Sequence, residues 1–395
     1  MFNSEMIKLG QERSVIRELF EYGNARKKAI GADGVYDFSI GNPSVPAPLC
    51  VQEEINRLIA QTPAEILHGY TSAAGLPEVR KAVSDYIEKS FGTPMRPELI
   101  YMTCGASASL TVTLCALCNA GDEVVVLTPY FPEYRTFIAQ AGATLVEART
   151  DARFHLDIAA LDKAIGKRTK AVIINSPNNP TGAVYGKEEL KALSELLTRK
   201  SEEKGEPIFL LSDEPYRELV YGAEVPYPMN FYPHTVVLYS FSKSLSLAGE
   251  RVGYIAVSPN CAGAEALYSA VCGAGRSLGY VCAPALFQRV VAKCLGQVSN
   301  IGIYRENRDL LLNALRGMGY ECIEPEGAFY LFVKSPEKDA GAFSERAKKY
   351  ELLLVPSDSF GAEGYVRVSY CVARKTIEDS LPAFRKLIEE YKGRS

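Results

Sequence analysis

No uninterrupted apolar run in this 395-residue chain approaches the roughly 20 residues that a membrane-spanning helix needs. The opening segment, MFNSEMIKLGQERS, also lacks the apolar core of a secretory signal. A membrane partner is not expected, and a cytoplasmic location is. An excess of charge is missing too: 44 Lys and Arg stand against 47 Asp and Glu. So weak a summed field offers little to nucleic acid, which leaves a small molecule as the expected partner.

Histidine is scarce, at three residues, and Cys115-Ala-Leu-Cys118, which spells CxxC, has no second pair or nearby His to complete a metal site. No metal is expected. The ten cysteines lie mostly in apolar stretches, Cys104, Cys115, Cys118, Cys272 and Cys282 among them. In a chain too long to need disulfide stapling they are expected as reduced, buried thiols. Internal repeats, low-complexity tracts and long linkers are absent.

What remains, 47% hydrophobic and 23% charged, is the composition of a globular protein with a core or two. Across residues 100–260 short β-branched runs alternate with amphipathic stretches. The strand-like runs are Leu99–Tyr101, Glu123–Leu127, Thr144–Glu147, Ala171–Ile174, Ile208–Ser212, Val236–Tyr239 and Gly253–Val257, with helical patterns such as Lys187–Lys200 between some of them. This predicts an α/β fold, a mostly parallel sheet wrapped by helices. Beyond residue 285 a long helical segment, Gln288–Met318, precedes strand-like Ala328–Val333, Leu352–Val355 and Tyr365–Ser369 and a helix from Lys375. That texture predicts a smaller α+β domain, on which the charged helical run Glu12–Phe20 is expected to pack. The predicted boundaries are 45–285 for the large domain and 1–44 with 286–395 for the small one.

In open α/β sheets ligands bind at the carboxyl ends of the strands, and four polar patches follow directly on predicted strands. They are Cys104-Gly-Ala-Ser-Ala-Ser109, Asn175-Ser-Pro-Asn-Asn-Pro-Thr-Gly182, Ser212-Asp-Glu-Pro-Tyr216 and Ser240-Phe-Ser-Lys-Ser244. The first opens a helix, whose free N–H groups and dipole favour an anion. Asn179 sits in a Pro/Gly turn and could donate to a ligand oxygen. Asp213 ends a buried strand, where its charge needs a cationic partner. Lys243, flanked by serines, is placed to lose its proton and attack a carbonyl. Arg251, in Gly249-Glu-Arg-Val-Gly253, suits a phosphate or carboxylate. Taken singly each has a plainer reading: a helix cap, a turn, a structural ion pair, a solvated side chain. Together they share one order and one placement.

In that order, Asn179-Pro-Thr-Gly182, Asp213-Glu-Pro-Tyr216, Ser240-Phe-Ser-Lys243 and Arg251-Val-Gly253 resemble the motifs of the class I/II aminotransferases, fold-type-I pyridoxal-phosphate enzymes. The resemblance runs across nearly the whole chain. It implies an L-amino acid and a 2-oxo acid as substrates and pyridoxal phosphate as cofactor, held as an aldimine on Lys243. Lys243, Asp213 and Tyr216 would be the catalytic residues: Lys243 as anchor and base, Asp213 on the ring nitrogen, and Tyr216 with Asn179 on the phenolic oxygen. Ala106, Ser107, Ser240, Ser242 and Arg251 would cup the phosphate. Phe131, in Pro129-Tyr-Phe-Pro-Glu-Tyr134, would stack on the ring, with Tyr130 and Tyr134 as alternatives. Arg367, in Gly364-Tyr-Val-Arg-Val-Ser369, would clamp the substrate α-carboxylate together with Asn179 and with Gly41, in Ser39-Ile-Gly-Asn-Pro43. Tyr70 matches a tyrosine that reaches the phosphate of a neighbouring subunit, which implies a homodimer. Aspartate specificity would need a second cation. Arg276, from the partner subunit, is one candidate, and an interface or surface arginine is the plainer reading.

Ser240-Phe-Ser-Lys243 also spells the S-x-x-K of penicillin-recognising enzymes, but their Ser-Asp-Asn and Lys-Thr-Gly partners are missing. A nicotinamide dehydrogenase would need a G-x-G-x-x-G after the first strand, and none is there. A regulator built on the cofactor fold would carry a basic DNA-binding domain, for which a short helical arm before Ser39 leaves no room. A carbon–sulfur β-lyase shares the cofactor contacts and stands as the alternative to transamination.

Overall fold

Strands form where β-branched residues cluster, because branched side chains pack well on a pleated surface. The computed structural model describes residues 2–11 and 15–392, so Glu12, Arg13 and Ser14 of the charged N-terminal run lie outside the described residues. In chain order the strands are β1 (Tyr36–Asp37), β2 (Ile100–Thr103), β3 (Glu123–Thr128), β4 (Thr144–Arg149), β5 (Thr169–Asn175), β6 (Phe209–Asp213), β7 (Thr235–Ser240), β8 (Gly253–Val257), β9 (Tyr330–Lys334), β10 (Leu352–Leu353), β11 (Val355–Pro356) and β12 (Tyr365–Ser369).

Seven of them make one sheet in the order β2-β8-β7-β6-β5-β3-β4. Its neighbours are parallel except at β8, which is antiparallel to both β7 and β2. Two successive reversals return β2 to the direction of β7. The carboxyl ends of β2, β5, β6 and β7 therefore share one edge of the sheet.

Side chains alternate across a strand, and here both faces are covered. Val124 and Val126 of β3 join a core with Val79, Leu110 and Val271 from the helices Pro77–Phe91, Ala106–Leu117 and Ala264–Ser277. Val125 and Leu127 face Leu193 and Leu197 of the helix Lys187–Lys204 on the other side. Strands buried on both faces read as continuous apolar runs, which is why these were visible in the sequence.

A separate core gathers Phe38, Leu311, Tyr330, Val366 and Phe384. It is built on the antiparallel sheet β11-β12-β9 and the helices Ile301–Met318 and Arg374–Lys392. The helix Val15–Ile30 packs nearby, with Leu19 against Val355 and Phe360. Among the described residues no helix is long and apolar enough to cross a membrane.

Three details depart from the sequence reading. The segment Gln288–Met318 is two helices, Ala285–Lys293 and Ile301–Met318. Gly296 turns the chain at φ 77° between them, and the Asn300 side chain caps the second by accepting from Gly302 N–H. The run Leu352–Val355 serves two sheets, β10 pairing with β1 and β11 with β12. The cysteines named above are not buried: Cys115 is exposed and Cys104, Cys118, Cys272 and Cys282 are half-buried, although all ten are free thiols. Apolar neighbours in sequence did not place these thiols on the inward face.

The two cores meet at the turn Asn179–Gly182. Glu326 and Gly327 N–H both donate to Gly182 O, at 3.0 and 2.9 Å. A Cβ on Gly182, which has φ 75°, would lie 2.3 Å from Pro325, so only glycine permits this approach. Beside it, His155 Nδ1 lies 3.2 Å from Glu189 and Nε2 lies 3.6 Å from Glu326, joining the two sides electrostatically.

Candidate active site

At the carboxyl edge of the large sheet lies a cavity of about 270 Å³, lined by residues from all four polar patches. One end is built to take an anion. After β2, Gly105 at φ 91° starts the helix Ala106–Leu117, no side chain caps it, and Ala106 and Ser107 face the cavity. After β7, Ser240 caps the short helix Phe241–Ser244, its Oγ 2.7 Å from Ser242 Oγ. Arg251 holds a left-handed conformation at φ 53° and is anchored by Nη1 on Ala248 O at 2.9 Å. A Cβ at Gly253 would lie 2.2 Å from Tyr239 O and 3.0 Å from Gly105 Cα. Two glycines thus let the backbones carrying these donors converge.

At the opposite wall, Asp213 ends β6 and is 4% exposed. The Tyr134 hydroxyl donates to its Oδ2 at 2.6 Å, and its Oδ1 is buried without a partner. Burial pushes the carboxyl up to about 7, against the lowering effect of Tyr134.

Lys243 lines the same cavity. Its Nζ donates to the Gly41 carbonyl and sits 5.3 Å from the centre of the Phe329 ring, with no carboxylate as ion-pair partner among the described residues. Burial lowers its pKa to about 8, since desolvation disfavours the ammonium form.

Arg367 of β12, 2% exposed, donates through Nη2 to Ser39 O at 2.6 Å and through Nη1 to Asn179 Oδ1 at 3.1 Å. Its Nε is buried and unpartnered. The guanidinium lies 4.5 Å from the centre of the Tyr330 ring, and the Tyr330 hydroxyl is 2.8 Å from that of Tyr216. A Cβ on Gly41 would fall 1.9 Å from the Tyr330 oxygen.

A family model described as aminotransferase class I and II matches residues 33–384. The chain belongs to this family. An aspartate/prephenate aminotransferase of Thermus thermophilus is 31% identical over 379 residues, covering 92% of this chain and 94% of its own. An amino transferase from Eubacterium rectale has a crystal structure with TM-score 0.96 and 51% identity, covering 99% of both chains. The Thermus thermophilus aspartate aminotransferase solved with maleate has TM-score 0.87 and 28% identity, covering 98% of this chain and all of its own. The protein is a pyridoxal-phosphate-dependent aminotransferase of fold type I.

The cavity of this aminotransferase fits that cofactor. The capless helix start with Arg251 suits a phosphate, the orphaned Asp213 Oδ1 suits a protonated ring nitrogen, and a lysine of lowered pKa suits an aldehyde. Of the residues singled out in the sequence, the structure brings Gly41, Ala106, Ser107, Phe131, Asn179, Asp213, Tyr216, Ser240, Ser242, Lys243, Arg251 and Arg367 to this one cavity. Among the aromatics, Phe131 lines it, whereas Tyr130 turns its hydroxyl to Glu147 and Tyr134 to Asp213. Tyr70 and Arg276 do not line the cavity of their own chain; both are exposed, Tyr70 fully. Sequence reasoning missed Tyr330, Ile16 and Asn175, whose amide donates to the Asp213 carbonyl at 2.8 Å. Asn175 was findable, as a polar residue closing an apolar strand. Tyr330 was not, because an aromatic in a strand reads as core.

Proposed function

We propose that Lys243 binds the cofactor covalently and is the proton carrier of the reaction. The observation that carries this is the half-buried Lys243, whose amine lines the cavity against the Gly41 carbonyl, has no carboxylate ion-pair partner among the described residues and has its pKa lowered to about 8, the setting that makes a lysine nucleophilic near neutral pH. Bound pyridoxal phosphate supplies the electron sink that makes the substrate α-proton acidic. Asp213 Oδ1 holds the ring nitrogen protonated, and Asn179 and Tyr216 hydrogen-bond the phenolic oxygen. Ala106, Ser107, Ser240, Ser242 and Arg251 hold the phosphate, and Phe131 stacks on the ring. Arg367, with Asn179 and the Gly41 segment, orients the substrate by its α-carboxylate. Lys243 would be the group that takes the substrate α-proton and carries it, the proton transfer that the bound cofactor makes possible.

The protein acts in the cytoplasm as a homodimer, in which the exposed Tyr70 reaches the phosphate site of the neighbouring subunit. Residues 45–285 form the cofactor domain, and 1–44 with 286–395 form the domain that closes over the substrate. Borohydride should trap the yellow chromophore on the peptide carrying Lys243. A panel of amino acids with 2-oxoglutarate should yield new amino and oxo acids. Release of ammonia and pyruvate instead would replace transamination with β-elimination.

A further inference from the structure

Asp213 is held from two sides before any ligand arrives. The Asn175 amide donates to its backbone carbonyl at 2.8 Å, and the Tyr134 hydroxyl donates to Oδ2 at 2.6 Å. Tyr134 is itself 2% exposed and packs edge-on to Phe131, with ring centres 5.8 Å apart and planes at 88°. One side chain thus touches both the carboxylate and the aromatic that lines the cavity.

A buried carboxylate with a single donor has two ways to relieve its charge: turn about χ2 or take up a proton. The Tyr134 hydroxyl opposes both. It fixes which oxygen is satisfied, and its hydrogen bond favours the ionised form. The remaining oxygen, Oδ1, is left as the unpaired acceptor on a cavity-lining residue. Resting on the cofactor role assigned above to Asp213, we infer that Tyr134 is a positioning residue: it presets Asp213 as an oriented carboxylate for a protonated ring nitrogen. The phenol suits this task, because burial and the neighbouring carboxylate raise its own pKa well above the ordinary value, so it stays a neutral donor.

Without Tyr134 the empty site would relax by protonating or turning Asp213, and the ligand would have to reverse that change. The cost falls only on a ligand that needs the carboxylate. The test is therefore a binding titration of the apoprotein, with pyridoxal phosphate and with its analogue bearing C–H in place of the ring nitrogen. In Tyr134→Phe the affinity for pyridoxal phosphate should fall about tenfold, the worth of one charge-assisted hydrogen bond, while the analogue binds as well as before or better. Site-specific 3-fluorotyrosine at position 134, which keeps the packing and makes a stronger donor, should move the ratio of the two affinities the other way, and it serves alone if Tyr134→Phe does not fold. Equal losses for both ligands in Tyr134→Phe, or a ratio unmoved by fluorotyrosine, would reduce Tyr134 to packing. Failure of the wild-type protein to bind pyridoxal phosphate would instead overturn the cofactor roles proposed above.

Discussion

Arg367 Nη1 lies 3.1 Å from Asn179 Oδ1, although 188 residues separate them. This contact ties β12 of one core to the turn after β5 of the other, and both partners are buried. Arg367→Lys removes the planar fork that matches a carboxylate. KM for both amino acid and oxo acid should rise about 30- to 100-fold, equivalent to roughly 2–3 kcal/mol, with cofactor affinity unchanged. Steady-state kinetics and a cofactor titration check the two halves of this expectation.

Lys243 should react as the neutral amine. The rate of cofactor capture by apoprotein should rise with pH up to about 8 and then level off. Stopped-flow absorbance measures this directly. A rate still climbing toward the ordinary lysine range would show that burial does not depress the amine.

In its proposed role Asp213 would trade stability for function. In the empty site burial raises its folded pKa to about 7, above the unfolded value. The folded state therefore binds the extra proton, and apoprotein stability falls as pH rises from the unfolded pKa through about 7. Asp213→Asn should abolish that fall, stabilising apoprotein at pH 8 by on the order of 2–4 kcal/mol, while turnover of the loaded enzyme drops at least about 100-fold. Thermal melts across pH, set beside activity, test both signs.

His155 moves stability with pH in the same direction as Asp213, but through a favourable pairing of its charged form. Hydrogen bonding to Glu189, with Glu326 and Asp151 nearby, raises its pKa. Its ion pairs are then fully present below the unfolded value and are lost as pH rises through the folded one. His155→Gln should cost about 0.5–1 kcal/mol at pH 6, as expected for a pair that solvent still reaches, and nothing at pH 9. Denaturant melts at the two pH values decide it.

Tyr70 can be tested by complementation. Lys243→Ala and Tyr70→Ala proteins should each be weak or inactive alone. With Tyr70 reaching across as proposed, a hybrid dimer should regain one working site, one subunit supplying Lys243 and the other Tyr70. No recovery in a verified hybrid would place Tyr70 outside the phosphate site.

The sheet and the polar strand ends were legible because each depends on local chemistry. Continuous apolar runs mark strands buried on both faces, and the polar residues that follow them, Asp213 and Lys243 among them, stood out by shared order and placement although each alone had a plainer reading. The Asp213 contact of Tyr134, a residue the motif offered only as an alternative stacking ring, and the place of Tyr330 in the site were illegible for the converse reason. Their hydroxyl partners lie 79 and 114 residues away, and nothing local separates a tyrosine that serves a site from one that fills a core. The break between Lys293 and Ile301 was hidden because apolar periodicity persists on both sides of Gly296. Tyr70 was named by its resemblance to the family tyrosine, and within one chain it stands exposed, outside the cavity.

Lys243 and Arg251 both lie on the connection between β7 and β8, which is closed at its base by the pairing of Ser240 with Gly253. A loop tied off in this way behaves as a caliper of nearly fixed jaw width. In the roles proposed for Lys243 and Arg251, an aldehyde at one jaw and an anion at the other would make ligand length a criterion of selection. The free vitamer, lacking its phosphate, would leave one jaw empty, so loading of this enzyme should follow the supply of the phosphorylated form alone.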